Sequence, residues 1–207
     1  MTILEAQTRA KKREARLILE AELPERLQVT KKPYPEQQAL WLQGMRFVDS
    51  WAKQGGSTGL LIQGGVGRGK TELLALMLFM LADLYGKTAL FINCREIGLE
   101  LRESYDRTGE GRSEWKILEQ ARKRDIVALD DVGSEGGPGS AEHVKELTKG
   151  LIDLCSASPK LFIATGNLND ESLAKLLHDP RADSRRAPWE RLVFTDTIPD
   201  YRKKGRK

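Results

Sequence analysis

Cysteine is scarce in this sequence. Cys94 and Cys155 are alone among 207 residues and neither sits in a C-x-x-C pair, so a disulfide framework is excluded and reduced thiols in the cytoplasm are expected. Long apolar runs are missing too. No uncharged stretch reaches the roughly 18 residues a membrane span needs, and residues 1–20 are charged where an export signal would be apolar. These absences predict a soluble protein that is neither exported nor held in a membrane. Internal repeats and long low-complexity segments are also lacking, and a chain of this length can bury one proper core with short appendages.

The net charge of +4 is unevenly spread. Residues 8–16 hold Arg9, Lys11, Lys12, Arg13 and Arg16 against Glu14, and residues 201–207 hold Arg202, Lys203, Lys204, Arg206 and Lys207. The remainder carries 24 basic and 29 acidic residues, a net of −5 (24 − 29). Basic ends around an acidic body suit a polyanion or an acidic partner through screened attraction. Solvated helix and tail ends are the ordinary alternative.

Residues 3–23 lack Gly and Pro and read as a helix stopped by Pro24. Their apolar residues cluster only at Leu17, Ile18, Leu19 and Leu23, too few to fold alone, so this arm needs a partner or stays mobile. A second helix is expected over 35–53, with Leu40, Gly44, Phe47, Val48 and Trp51 along one stripe and Gly55-Gly56 ending it. Strands and helices then alternate. Strands are expected at 60–63, 88–93, 126–129, 161–165 and 192–197, and helices at 72–85, 96–105, 113–124, 140–155 and 170–178, with a loop at 109–111. Such alternation predicts an α/β domain with a five-stranded parallel sheet and right-handed crossovers.

The first of these strands runs into Gly64-Gly65-Val66-Gly67-Arg68-Gly69-Lys70-Thr71, followed by Glu72 and an apolar helix. This is the phosphate-binding loop pattern in its required setting of strand before and helix after. Glycines let successive backbone N–H groups face one anion, and the helix adds the positive end of its dipole. Lys70 is then expected to reach the β- and γ-phosphates and Thr71 to hold Mg2+.

A triphosphate site needs a second acidic contribution from another strand. Ile126-Val127-Ala128-Leu129-Asp130-Asp131, about sixty residues beyond Lys70, supplies it at the carboxyl end, where parallel sheets bind ligands. Asp130 is read as the Mg2+ support and Asp131 as the base or water-positioning group. Thr165-Gly166-Asn167 ends the next strand at the same edge, so Asn167 is read as holding the attacking water or a γ-phosphate oxygen; a plain Gly-Asn turn is the alternative. Arg181, Arg185, Arg186 and Arg191 crowd a later stretch, where an arginine can neutralise transition-state charge on a neighbouring subunit's nucleotide. Asp130-x-x-Gly133 also fits a GTPase switch, but no Asn-Lys-x-Asp follows, which favours ATP. Pro24, Leu27 and Val29 precede the core where an adenine lid would sit.

These pieces in this order resemble the AAA+ ATPases of the bacterial and phage replicative-helicase loader group (DnaC-like), whose core is shared with the IstB-type transposition helpers. The resemblance covers about residues 22–204. It rests on Glu22-Leu23-Pro24-Glu25-Arg26, the loop to Thr71 as Walker A, Leu129 to Gly133 as Walker B, Ala164 to Leu168 as sensor I, Trp189-Glu190-Arg191-Leu192 as the arginine-finger segment, and Asp200-Tyr201-Arg202. It implies a P-loop NTPase domain over 35–200, a basic helical arm and linker over 1–34, a basic tail over 201–207, and no C-terminal lid domain. Arg191 matches the finger position, with Arg186 in reserve. The resemblance further implies self-association with ATP at the subunit interface, a DnaB-type replicative helicase and single-stranded DNA as partners, and a helical insertion over 95–123 on the DNA. Tyr105 and Trp115 are candidates to stack on bases there, although the spacing of Trp115 from Leu118 favours core packing.

The sequence departs from the family twice. About 30 residues stand where longer members carry a helicase-binding domain, and Cys155-Ser156 replaces an arginine and aromatic before sensor I. The leading expectation is an ATP-hydrolysing helicase loader. A transposition helper and a nucleotide-dependent adaptor with little turnover, since Asp131 is shorter than the usual Glu, are the alternatives.

Overall fold

The computed structural model describes residues 2–28, 33–105, 113–134, 138–167 and 189–201. Of the features expected above, the 109–111 loop, the 170–178 helix, Val29, Arg181, Arg185, Arg186 and the tail 202–207 lie outside these residues, as does the side chain of Tyr105.

Helix α1 (Ile3–Glu22) opens on a reciprocal cap: Thr2 Oγ1 accepts from the Glu5 amide at 3.2 Å, and the Thr2 amide donates to Glu5 Oε2 at 2.8 Å. It ends just before Pro24, which cannot continue a helix. After the single turn α2 (Glu25–Gln28), a 3-10 turn at Pro35–Gln37 leads into α3 (Gln38–Gln54). Along α3 the fully buried residues are Trp41, Gly44, Val48 and Trp51, with Leu40 and Phe47 half-buried at the stripe's edge.

The alternating part then runs β1 (Thr58–Gly64), α4 (Lys70–Tyr85), β2 (Ala89–Asn93), α5 (Cys94–Tyr105), α6 (Glu114–Arg122), β3 (Ile126–Val132), α7 (Pro138–Ser156), β4 (Leu161–Gly166) and β5 (Glu190–Phe194). All pairings are parallel, in the order β2-β3-β4-β1-β5. The carboxyl ends of β1, β4 and β3 therefore lie side by side. Strand alternation splits the core between the two faces. Leu60 and Ile62 join α1, α3 and α4 on one face, whereas Leu61, Leu90 and Phe162 join α5, α6 and α7 on the other. With both faces covered, β1 and β4 are apolar almost throughout.

The arm finds its partner within the chain. α1 and the turn α2 that follows pack on α4, burying Ala15, Leu19, Leu23 and Leu27, and the Arg16 guanidinium lies 4.1 Å from the Phe79 ring centroid while bonding Asp83 at 2.7 Å. Two other expectations need correction. Trp115 is not core: it is 63% exposed, because Ile117 and Ala121, one turn apart, form the inward face of α6. The fifth strand starts earlier than 192, because residues 190–194 pair with 60–64 and the chain then turns, with the Ile198 amide donating to Thr195 O at 3.1 Å.

Cys94 and Cys155 are both buried and not joined to each other, and burial pushes the Cys155 thiol up to about 12. Among the described residues no helix is long and apolar enough to cross a membrane.

Candidate functional site

The site begins where β1 stops. Gly64 has φ +142°, and a Cβ there would stand 2.4 Å from Phe194 O, so the chain can leave the sheet at this point only as glycine. Gly69, at φ +89°, turns the loop into the first residue of α4, and a Cβ there would meet Gln37 Nε2 at 2.3 Å. The amino end of α4 consequently faces the loop, where the positive end of the helix dipole favours an anion.

Lys70 opens α4 and is 8% exposed, its ammonium donating to Gly64 O at 2.7 Å and Gly65 O at 2.9 Å. The ammonium is thereby held against the loop's backbone. Thr71 follows, and its hydroxyl donates to Asp130 Oδ1 at 2.8 Å. Asp130 is almost fully buried at the end of β3 and also accepts from Thr165 Oγ1 at 2.7 Å. Burial raises its carboxyl above the ordinary carboxylate range; the two hydroxyl donors and Lys70 oppose that rise, and the neighbouring charge of Asp131 adds to it. Asp131 is exposed, and its amide donates to Thr165 Oγ1 at 3.0 Å.

These groups border one cavity of about 910 Å3. Val66 to Glu72, Asp130, Asp131 and Asn167 all line it, which brings together residues spread over about a hundred positions of sequence. Gly64 and Gly65 form the loop's root behind it. Arg191 does not share this wall: it is exposed on β5, the edge strand beside β1.

The far end of the cavity is aromatic, and sequence reasoning missed it. Tyr34 and Tyr201 stack at 3.8 Å between ring centroids with their planes 7° apart. The Tyr201 amide donates to Gly67 O at 3.0 Å and its hydroxyl to Glu36 Oε2 at 2.9 Å, tying this stack to the loop. Gln37, 2% exposed, donates to Arg68 O at 2.6 Å, and Trp41 lines the same end with an indole N–H that has no hydrogen-bond partner among the described residues. Of the residues expected to border a base, Leu27 is instead buried in the core and neighbouring Arg26 reaches the cavity. Asn93, at the end of β2, also lines it, its side chain accepting from the Arg95 and Glu96 amides to cap α5.

The donor set fits a magnesium nucleotide. Thr71 and Asp130 place two hard oxygens beside the loop, and among the described residues no group of three or more His, Cys, Asp or Glu could enclose a metal by itself. Mg2+ is commonly held in this way, by one or two protein oxygens with phosphates and waters completing the shell.

No protein-family model matches the chain, and no curated protein matches its sequence. Solved structures do match it. A DnaC helicase loader superposes with a TM-score of 0.57 at 23% identity, over 80% of this chain and 94% of that one. DnaI gives 0.58 at 19% identity, over 88% and 92%. AMPPCP-bound DnaA from Aquifex aeolicus gives 0.54 at 14% identity, over 81% of this chain and 50% of that one. The likeness is one of architecture, and the chain has the AAA+ type of P-loop fold, a five-stranded parallel sheet flanked by helices.

Proposed function

We propose that this chain binds ATP with Mg2+, hydrolyses it, and uses the cycle to place a DnaB-type replicative ring helicase on single-stranded DNA. The observation that carries the reading is the single cavity that joins the loop, Asp130, Asp131 and Asn167, on a fold that matches the DnaC helicase loader over 94% of that structure.

Backbone amides from Gly65 to Thr71 cradle the phosphates, and the Lys70 ammonium shifts from the loop carbonyls to the β- and γ-phosphate oxygens. Thr71 and Asp130 hold Mg2+, which when bound neutralises charge on the phosphates. Asn167 orients a water for attack on the γ-phosphorus, Asp131 accepts a proton from that water, and the bond to the β–γ bridging oxygen breaks, leaving ADP and phosphate. The Tyr34–Tyr201 stack and Trp41 wall the end that takes the base.

Arg191, exposed on the edge strand, serves the nucleotide of an adjoining subunit. Arg191→Ala is expected to keep nucleotide binding while losing about 10³-fold in turnover. Mixing it with Lys70→Ala should restore part of the activity, since one kind of interface then has both residues. Mixtures no more active than their components would count against action in trans.

Exposed Trp115, with Lys116, Arg122 and Lys123 exposed on or beside α6, and the outward Arg9, Lys11 and Arg13 of α1, are the surfaces offered to DNA. Trp115→Ala should weaken single-stranded DNA binding by about 1–3 kcal/mol if a base stacks there. Fluorescence anisotropy with a labelled oligonucleotide reads this, and unchanged affinity would remove Trp115 from the interface. The loader reading itself is tested by mixing the chain with its cognate ring helicase and ATP and weighing the product by size exclusion with light scattering. A complex is expected; two separate species would contradict it.

A further inference from the structure

The scheme above leaves the side chain of Thr165 unused. It sits on β4, 1% exposed, two residues before Asn167. Its hydroxyl has one proton, which goes to Asp130 Oδ1, and its lone pair accepts the Asp131 amide. One side chain thus grips both acidic residues.

The backbone explains why such a grip is needed. β3 and β4 pair in register from Ile126↔Leu161 to Leu129↔Ala164 and resume at Val132↔Gly166, so Asp130 and Asp131 together stand against Thr165. This is a β-bulge. In an unbroken strand two successive side chains point to opposite faces of the sheet, and Asp131 would turn away from Asp130. Here both border the same cavity. Asp131 reaches it at φ +61°, the only non-glycine with positive φ among the described residues. Its amide, displaced from the ladder, is satisfied by Thr165 Oγ1 instead.

We infer that Thr165 is the positioning residue for Asp131: its hydroxyl closes the bulge and holds the two carboxylates on one side, Asp130 buried against Thr71 and Asp131 at the cavity. This rests on the proposed role of Asp131 at the γ-phosphate.

Thr165→Val keeps shape and burial but deletes both hydrogen bonds, whereas Thr165→Ser keeps the hydroxyl. With Val, kcat for ATP hydrolysis should fall about 10- to 100-fold, the usual effect of removing a supporting partner, while KM and ADP affinity stay within about threefold. Ser should restore most of the rate. Amide hydrogen exchange over 130–133 should quicken with Val and not with Ser. Should the Val variant not fold, Thr165→Ala replaces it with the same expectations. Wild-type kcat and exchange in the hydroxyl-free variant, equal losses of kcat and nucleotide affinity, or no rescue by Ser would each overturn the inference while leaving the ATPase reading intact. A wild-type chain that binds ATP without turning it over would overturn both.

Discussion

Lys70→Ala is expected to lower ATP turnover by about 10²- to 10³-fold, the scale of removing one preorganised donor from a transition state's developing charge. The ammonium is nearly buried, spans Gly64 O and Gly65 O, and stands at the amino end of α4, where further positive charge is costly unless an anion arrives. Bound phosphate relieves that cost. Triphosphate affinity should therefore drop as well, by about 10- to 100-fold for the loss of a charged hydrogen bond of about 1.5–3 kcal/mol. The substitution touches no residue of the buried apolar core, so folding should be little affected. Phosphate release, calorimetric titration with ATP and a melting curve separate these effects. Equal binding and turnover in the variant would place the nucleotide elsewhere.

Leu19→Ala should destabilise the whole domain by about 2–5 kcal/mol, the range for emptying a closely packed leucine site. Leu19 is 1% exposed and belongs to the same core as Leu74, Leu78 and Val48. Against a typical total of about 5–15 kcal/mol, that loss should move the urea midpoint visibly. Leu17, two residues away on the same helix, is 56% exposed, and Leu17→Ala should change stability by no more than about 0.5 kcal/mol. A detachable arm would make the two substitutions alike, neither moving the midpoint.

The sequence carried the sheet and the phosphate end of the site because their signals are local. The loop from Gly64 to Thr71 and the run from Ile126 to Asp131 each combine a buried strand with polar residues at its end. The docking of α1 was hidden for a different reason. Ala15, too small to mark a stripe, and the Arg16 guanidinium over the Phe79 ring do part of the packing, and neither stands out in a periodicity reading. Trp115 misled because a spacing of three places it near Leu118 without saying which side is inward; Ile117 and Ala121 decide that. The bulge at Asp131 leaves periodicity almost unchanged, so the double duty of Thr165 is visible only when β3 and β4 are paired. Tyr34, Gln37, Trp41 and Tyr201 come from the two ends of the chain, and no local pattern announces that they meet beside Arg68.

Steady-state phosphate release from Mg2+-ATP by the chain, with and without single-stranded DNA, decides whether the Lys70 and Asp131 site hydrolyses ATP. Turnover well above a Lys70→Ala background, rising when DNA is added, is expected. Tight ATP binding with release no faster than that background, with or without DNA, would contradict it.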